Sequence, residues 1–337
     1  MQYTTLGRTG LRVSRTSFGA LPIQRVSIAE AGVLLRKAYD HGVNFFDTAR
    51  AYTDSEEKIG AALSDVRERI IIATKSGAST GAELTAHLET SLHNLRTDYV
   101  DILQLHTPPA LATREDDRYE AMLAAQQAGK IRFIGMTNHR LDVVRQAAAS
   151  ELYDTVQYPL SAISSEEDLL LIDECRTHNV GLIAMKGLCG GLLTNATTAF
   201  AFLRQYENVV PIWGVQREAE LDEFLALEAN PPVLDAALWA EIARDRAELA
   251  GNFCRACGYC LPCPAGIPIP MAARMGLLLR RMPAQPLLSE EWQQNMARIE
   301  QCIGCGACAS RCPYNLDTPR LLRDMLSEYK AMLHATV

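Results

Sequence analysis

The stretch VNFFDTARAY (43–52) decides how the first two thirds of this chain are read. Apolar and aromatic residues carry the chain to Asp47, and a short polar segment follows, ending on Tyr52. That is the layout of a buried strand closed by a carboxylate, with a tyrosine in the loop beyond it. The layout recurs: RIIIATK (69–75) ends on Lys75, and YVDILQLH (99–106) ends on His106. VSRTSFGAL (13–21), IRFIGMTN (131–138), YDTVQYP (153–159), VGLIAMKG (180–187) and NVVPIWGV (208–215) are similar short runs. They recur roughly every 25 to 35 residues, the spacing of βα units.

The intervening segments read as helices. SIAEAGVLLRKAYDHG (27–42) closes on glycine, as helices often do, and SEEKIGAALS (55–64) and EEDLLLIDECRTHN (166–179) are alike. Eight strands alternating with helices predict an α/β fold, a closed (β/α)8 TIM barrel. A doubly wound sheet is the alternative. It wants a Gly-rich phosphate turn after its first strand, and SFGALPIQR (17–25) is not one.

In a barrel, Asp47, Tyr52, Lys75 and His106 gather at the C-terminal mouth, where catalysis is found. Singly, each has an ordinary explanation: a helix cap, a surface aromatic, a solvated loop charge, a satisfied core histidine. Four together at strand ends favour a catalytic group. Tyrosine titrates near 10, and a lysine ammonium beside it stabilises the phenolate and lowers that value. A paired aspartate keeps the ammonium charged, and a histidine can donate a hydrogen bond to a substrate oxygen.

The opening YTTLGRTGLRVSRTSFGA (3–20), then NFFDTARAY, IIIATK and LQLH, together resemble the aldo-keto reductase superfamily over about residues 2–228. The resemblance implies that Asp47, Tyr52, Lys75 and His106 form the catalytic tetrad, with Tyr52 as the proton donor. It implies a small-molecule carbonyl or alcohol as substrate and NADP(H) as cofactor, with NAD(H) as the alternative. Thr137, Asn138 and Gln157 stand where the family binds the nicotinamide carboxamide. Met185 stands where an aromatic residue commonly stacks on the ring; a thioether can also pack there. Lys186, Gly187 and Leu188, within MKGLCGG (185–191), follow the pyrophosphate. In GVQREAELDEFL (214–225), Gly214 precedes a helix whose N-terminal amides suit a phosphate. Arg217 is placed for a 2′-phosphate and Glu223 for the adenine, whereas Phe224 stands where Asn is usual.

The chain has 337 residues, 48% apolar and 22% charged, enough for two domains. A net charge of 33 − 40 = −7 offers no basic field for nucleic acid or an anionic membrane. No apolar run approaches the roughly 18 residues of a span, and MQYTTLGRTGLRV lacks a signal-peptide layout. The expectation is a cytoplasmic protein.

LEANPPVLD (227–235) carries a Pro-Pro break, which divides the chain into a barrel at 1–230 and a second domain at 231–337. ALWAEIARDRAELAGNF (237–253) reads as a helix leading to CRACGYCLPCP (254–264). Of ten cysteines, eight lie in that stretch and in CIGCGACASRCP (302–313); only Cys175 and Cys189 lie elsewhere. Such clusters favour metal ligation over disulfides. The second has the C-x2-C-x2-C-x3-C-P spacing of bacterial ferredoxins, in which the fourth cysteine serves the other cluster. The expectation is two [4Fe–4S] clusters, one on Cys254, Cys257, Cys260 and Cys312, the other on Cys302, Cys305, Cys308 and Cys263. The spacing before Cys263 is one residue short of the usual run. Two Zn(Cys)4 sites are the alternative. Helical periodicity between the motifs and in PRLLRDMLSEYKAML (319–333) makes this domain similar to α-helical ferredoxins appended to redox enzymes.

Two functions follow. In one, an NAD(P)H-dependent aldo-keto reductase or alcohol dehydrogenase carries clusters of structural, sensing or redox role. In the other, an electron-transfer protein passes electrons between the barrel and a redox protein partner. A hydride carries two electrons while each cluster accepts one, and no flavin fingerprint bridges the two.

Overall fold

The protein is described here through a computed structural model, which covers residues 1–249 and 253–336. It divides into two compact units: Met1–Gly187 with Asn195–Ile242, and Leu188–Thr194 with Ala243–Val337.

The first unit opens with a hairpin of β1 (Tyr3–Thr5) and β2 (Arg12–Ser14). Sequence reading ran residues 13–21 together as one strand; β2 pairs back on β1, and β3 (Ser17–Gly19) begins the barrel. It continues through β4 (Phe45–Asp47), β5 (Ile71–Ser76), β6 (Val100–His106), β7 (Ile131–Thr137), β8 (Thr155–Pro159), β9 (Gly181–Met185) and β10 (Val209–Gly214). All eight pair in parallel and in sequence order, and β10 closes on β3 through Ile212 opposite Ser17.

Helices α1 (Ile28–Asp40), α2 (Ser55–Leu63), α3 (Gly81–Leu95), α4 (Asp117–Gln127), α5 (Leu141–Ala149), α6 (Glu166–Thr177), α7 (Ala196–Arg204) and α8 (Glu218–Ala229) alternate with the strands. Their starts are written locally. Ser27 accepts from the Glu30 amide while Glu30 accepts from the Ser27 amide, and Ser165 with Asp168 repeats this reciprocal cap.

Leu6, Leu11 and Val13 of the hairpin share one buried cluster with Phe45, Ile71, Ile102, Ile183 and Val210 of the strands. The hairpin thereby plugs the barrel at the end away from the strand C-termini. Gly7, at φ +50°, makes this approach feasible, because a Cβ there meets the Gly181 nitrogen at 2.2 Å. With one end sealed by apolar residues, polar strand ends are left to the other.

α9 (Ala236–Glu248) spans the division at Ile242; the remainder of the helix expected over 237–253 runs into 250–252, outside the described residues. The Pro231–Pro232 break lies before α9, so the two compact units part later than that break. The second unit holds α10 (Ile269–Ala272), α11 (Met275–Arg281), α12 (Glu290–Ala297), α13 (Ala307–Ser310) and α14 (Thr318–Thr336), and no strand among the described residues. No helix among the described residues is long and apolar enough to cross a membrane.

Candidate active site and cysteine clusters

Asp47 closes β4, Lys75 lies near the end of β5, and His106 closes β6. Because these strands are parallel and adjacent, their ends converge at one mouth of the barrel. Lys75 Nζ donates to Asp47 Oδ1 at 2.5 Å and to the Thr48 carbonyl at 2.6 Å, with both charged side chains at most 2% exposed. The same ammonium lies 5.1 Å from the Tyr52 ring centroid, and Tyr52 stands edge-on to His106 with centroids 5.9 Å apart. The four residues singled out from sequence form one contiguous group.

Burial sets the electrostatics. Desolvation pushes the Asp47 carboxyl up, with Lys75 and hydrogen bonds from Gln157 and Gln104 pulling against it. Lys75 loses hydration too, yet Asp47 and Tyr52 outweigh that loss and hold the ammonium above its usual value. The Tyr52 phenol is raised: burial outweighs the acidifying pull of Lys75. This corrects the sequence reading, which considered the lysine alone. Desolvation, then the Lys75 charge, lowers His106 to about 3, so its imidazole is neutral at ordinary pH.

Sequence reading did not assign Gln104. Its Nε2 donates to Asp47 Oδ2 at 3.3 Å and to Gln157 Oε1 at 2.9 Å, tying β4, β6 and β8 together beneath the site. The signal was available: Gln104 precedes His106 by two positions and so shares its face of the strand. Its Oε1 is buried without a partner among the described residues.

Thr137 ends β7 with Oγ1 4.0 Å from Met185 Sδ at the end of β9, so both stand at the mouth with Gln157. Asn138 is buried and committed to backbone: it donates to the Pro108 carbonyl and accepts from the amides of His139 and Arg140. Lys186 has φ +59°, and Gly187 is required by Trp213, whose ring a Cβ meets at 2.6 Å. Trp213 stacks on Phe224 at 4.4 Å and on Phe200 at 6.2 Å, so the residue in the usual Asn position is turned into the core. Leu188 belongs to the second unit.

Gly214, Arg217 and Glu223 are exposed. At the start of α8, the amides of Gln216 and Arg217 donate to Glu220 Oε2 at 2.9 and 3.2 Å, and the Arg217 guanidinium pairs with Glu220 at 2.6 Å. A phosphate at this helix end has to take the place of that carboxylate. Beside His106 lies a cavity of ≈ 370 Å³ whose lining includes Ser76, Ser79, Thr107 and Arg118.

In the second unit, Cys260, Cys263, Cys302, Cys305 and Cys308 line one cavity. The Cys260 thiol is pushed up to about 12 by burial, then by Cys254 and Cys257, with Cys308 adding to them. Cys312 does not line that cavity. The Arg255 guanidinium lies 4.4 Å from the Phe253 ring centroid and 4.5 Å from that of Tyr314, fastening the two cysteine stretches to each other. Among the described residues no three His, Cys, Asp or Glu side chains converge on a single-ion site. Thiols spread around a cavity suit a cube, whose corners lie further apart than the ligands of one zinc ion. Cys175 and Cys189 are buried.

A parallel eight-strand barrel with a buried Asp–Lys pair, a tyrosine and a histidine at its mouth is the architecture of the aldo-keto reductase class. The chain belongs to the Aldo/keto reductase family, whose model matches residues 16–201, and a 4Fe-4S dicluster domain model matches residues 253–317. It is 30% identical to the aldo-keto reductase YhdN of Bacillus subtilis, over 59% of this chain and 65% of that protein. It is 34% identical to L-galactose dehydrogenase of Arabidopsis thaliana, over 58% of this chain and 67% of that protein. It thus spans about two thirds of the length of these relatives. An aldo-keto reductase from Bacillus halodurans, in a holo form, shares the fold at a TM-score of 0.63 and 21% identity, over 73% of this chain and 96% of that one.

Proposed function

We propose that the barrel interconverts a carbonyl and an alcohol with a nicotinamide cofactor, NADP(H) or alternatively NAD(H), and that Tyr52 moves the proton. The observation that carries this reading is the buried Lys75 ammonium, held by Asp47 and the Thr48 carbonyl with the Tyr52 ring 5.1 Å away. The nicotinamide, when bound, supplies the hydride in reduction and accepts it in oxidation. Tyr52 gives its phenolic proton to the developing alkoxide, and Lys75 stabilises the phenolate left behind. Asp47 keeps the ammonium in place, with Gln104 and Gln157 holding the carboxylate. Neutral His106 donates a hydrogen bond to the carbonyl oxygen and orients it. Thr137, Gln157, Met185, Lys186, Gly187 and Leu188 are the residues to hold the nicotinamide and pyrophosphate. Asn138, whose Nδ2 carries a second hydrogen beyond the one given to the Pro108 carbonyl, joins Thr137 and Gln157 at the nicotinamide carboxamide in this proposal. Gly214, Arg217 and Glu223 serve the adenosine end, in competition with Glu220.

The cavity beside His106 mixes Ser76, Ser79, Thr107 and Arg118 with Leu105, Pro108 and Pro109, so its lining singles out neither hydroxylated nor apolar carbonyl compounds. A screen of short aldoses, hydroxyaldehydes and apolar aldehydes with each nicotinamide tests the carbonyl–alcohol reading. Turnover of none of them contradicts it.

Cys254, Cys257, Cys260 and Cys312 hold one [4Fe–4S] cluster in this proposal, and Cys302, Cys305, Cys308 and Cys263 the other. One observation favours the electron-transfer reading: Gln301 to Cys305 are all exposed, Ile303 to 71%, which leaves the second cluster open to a redox protein partner. Anaerobic addition of NADPH without substrate separates the two. Bleaching of the clusters within a turnover time supports electron transfer; unchanged clusters during carbonyl turnover support the reductase reading alone.

A further inference from the structure

After Gly187 the chain leaves the barrel unit, and it returns at Asn195; the intervening Leu188–Thr194 packs as part of the second unit. Two arginines hold this segment. Arg281 donates to the Leu192 carbonyl at 2.7 Å, and Arg274 to the Gly190 carbonyl at 3.0 Å. They stand at the two ends of α11, two helical turns apart and therefore on one face. Gly190, at φ +65°, allows the approach, since a Cβ there meets Arg274 Nη1 at 3.0 Å.

The two arginines differ in how their charge is met. Arg281 pairs with Asp245 at 2.8 Å and with Glu248 at 2.5 Å, the ordinary solution for a guanidinium. Arg274 is only 4% exposed, and its remaining bonds go to neutral groups, the Pro270 carbonyl at 2.9 Å and Met271 Sδ at 3.6 Å. No carboxylate pairs with it among the described residues. A buried guanidinium without a counter-ion is costly. Desolvation lowers its pKa, and the groups whose charge opposes that are two thiols, Cys254 and Cys189. Cys254 is a proposed cluster ligand, and a [4Fe–4S] cube with four thiolates carries the net negative charge that Arg274 lacks.

We infer that Arg274 is the counter-ion of the iron–sulfur cluster on Cys254 and, through its bond to the Gly190 carbonyl, the positioning residue that fastens the Leu188–Thr194 segment to that cluster. This rests on the cluster assignment proposed above and extends it. Reduction adds one negative charge to the cube. That draws the guanidinium toward the cluster and loosens its hold on Gly190, with the Gly191 and Leu193 amides, both bonded to the Leu188 carbonyl, as reporters.

The test uses the full chain, prepared without oxygen, with its iron counted. Potentiometric titration followed by electron paramagnetic resonance is run on the natural protein and on Arg274→Met, which keeps length and loses charge. The expected result is that one of two midpoint potentials falls and the other stays. Two unchanged midpoints in an iron-replete variant overturn the inference and leave the cluster assignment standing. A protein without iron and sulfide sinks both, and is recognised by its colour alone. Should Arg274→Met fail to fold, hydrogen exchange on the natural protein decides. The Gly191 and Leu193 amides are expected to exchange faster when the clusters are reduced, and equal or slower exchange overturns the inference.

Discussion

Lys75 Nζ and Asp47 Oδ1 lie 2.5 Å apart with both side chains almost wholly buried. A pair this deep is weak evidence for stability, because desolvation offsets much of the Coulomb gain. Removing one partner is another matter. Asp47→Asn leaves an uncompensated ammonium, and the barrel is expected to lose about 3–5 kcal/mol. Lys75→Met with Asp47→Asn together is expected to recover part of that loss while remaining inactive. Urea unfolding of the single and double variants checks this; an additive double variant contradicts it.

His106, lowered to about 3 by burial and the Lys75 charge, stays neutral throughout the working range. A folded-state pKa below the ordinary imidazole value near 6.5 means that no proton is taken up there as pH falls through 6. The pH profile of kcat/KM for carbonyl reduction is expected to show no inflection between pH 5 and 8 that disappears in His106→Gln. Such an inflection assigns the imidazolium a role and contradicts the proposed hydrogen-bond donor.

The Tyr52 phenol, raised by burial despite Lys75, is an acid nearly fully protonated at neutral pH. Reduction uses this protonated form and is expected to hold level to pH 10 or beyond. Alcohol oxidation uses the phenolate and is expected to rise with pH over the same range. A plateau of the oxidation rate near pH 7 contradicts the raised value.

Gln104 touches no reacting group, yet it donates to Asp47 Oδ2 and to Gln157 Oε1. Gln104→Leu is expected to lower kcat about tenfold, corresponding to about 1.4 kcal/mol, with little change in cofactor affinity. Stability is expected to move by less, since the partnerless Oε1 is removed with the amide. A rise in the cofactor Kd with unchanged kcat contradicts the positioning role.

At the start of α8, Glu220 occupies the amides and the guanidinium that a 2′-phosphate needs. Glu220→Gln removes a like charge from that place, and the NADPH-to-NADH ratio of kcat/KM is expected to rise several-fold. An unchanged ratio places the adenosine end elsewhere.

Strand identity was legible because the barrel strands are short apolar runs that end on chemistry-bearing residues. The Asp47, Lys75 and His106 positions followed from strand ends alone. The hairpin was not legible: Arg12–Ser14 and Ser17–Gly19 are separated only by Arg15 and Thr16, and periodicity cannot show that the chain turns between them. Gln104 was visible in LQLH, but its value depends on Gln157 arriving beside it, a tertiary fact. The net direction of the Tyr52 shift also escaped the sequence, because a neighbouring charge can be read from residues whereas desolvation depends on packing. Phe224 showed a departure from the family, and only Trp213 stacked against it explains what it does instead. For the cysteines, spacing grouped the eight residues, and the structure brings Cys260 and Cys263 of the first stretch to one cavity with Cys302, Cys305 and Cys308 of the second, a tertiary fact that spacing alone does not carry.

The central claim is that Tyr52 moves the proton in a carbonyl–alcohol interconversion at the barrel mouth. The most direct measurement is single-turnover carbonyl reduction by Tyr52→Phe under anaerobic conditions, with cofactor affinity measured alongside. General acid catalysis is typically worth about 10²–10⁴-fold, so the rate is expected to fall by that factor while the cofactor Kd and the cluster spectra stay as they were. Full reductase activity in Tyr52→Phe contradicts the account.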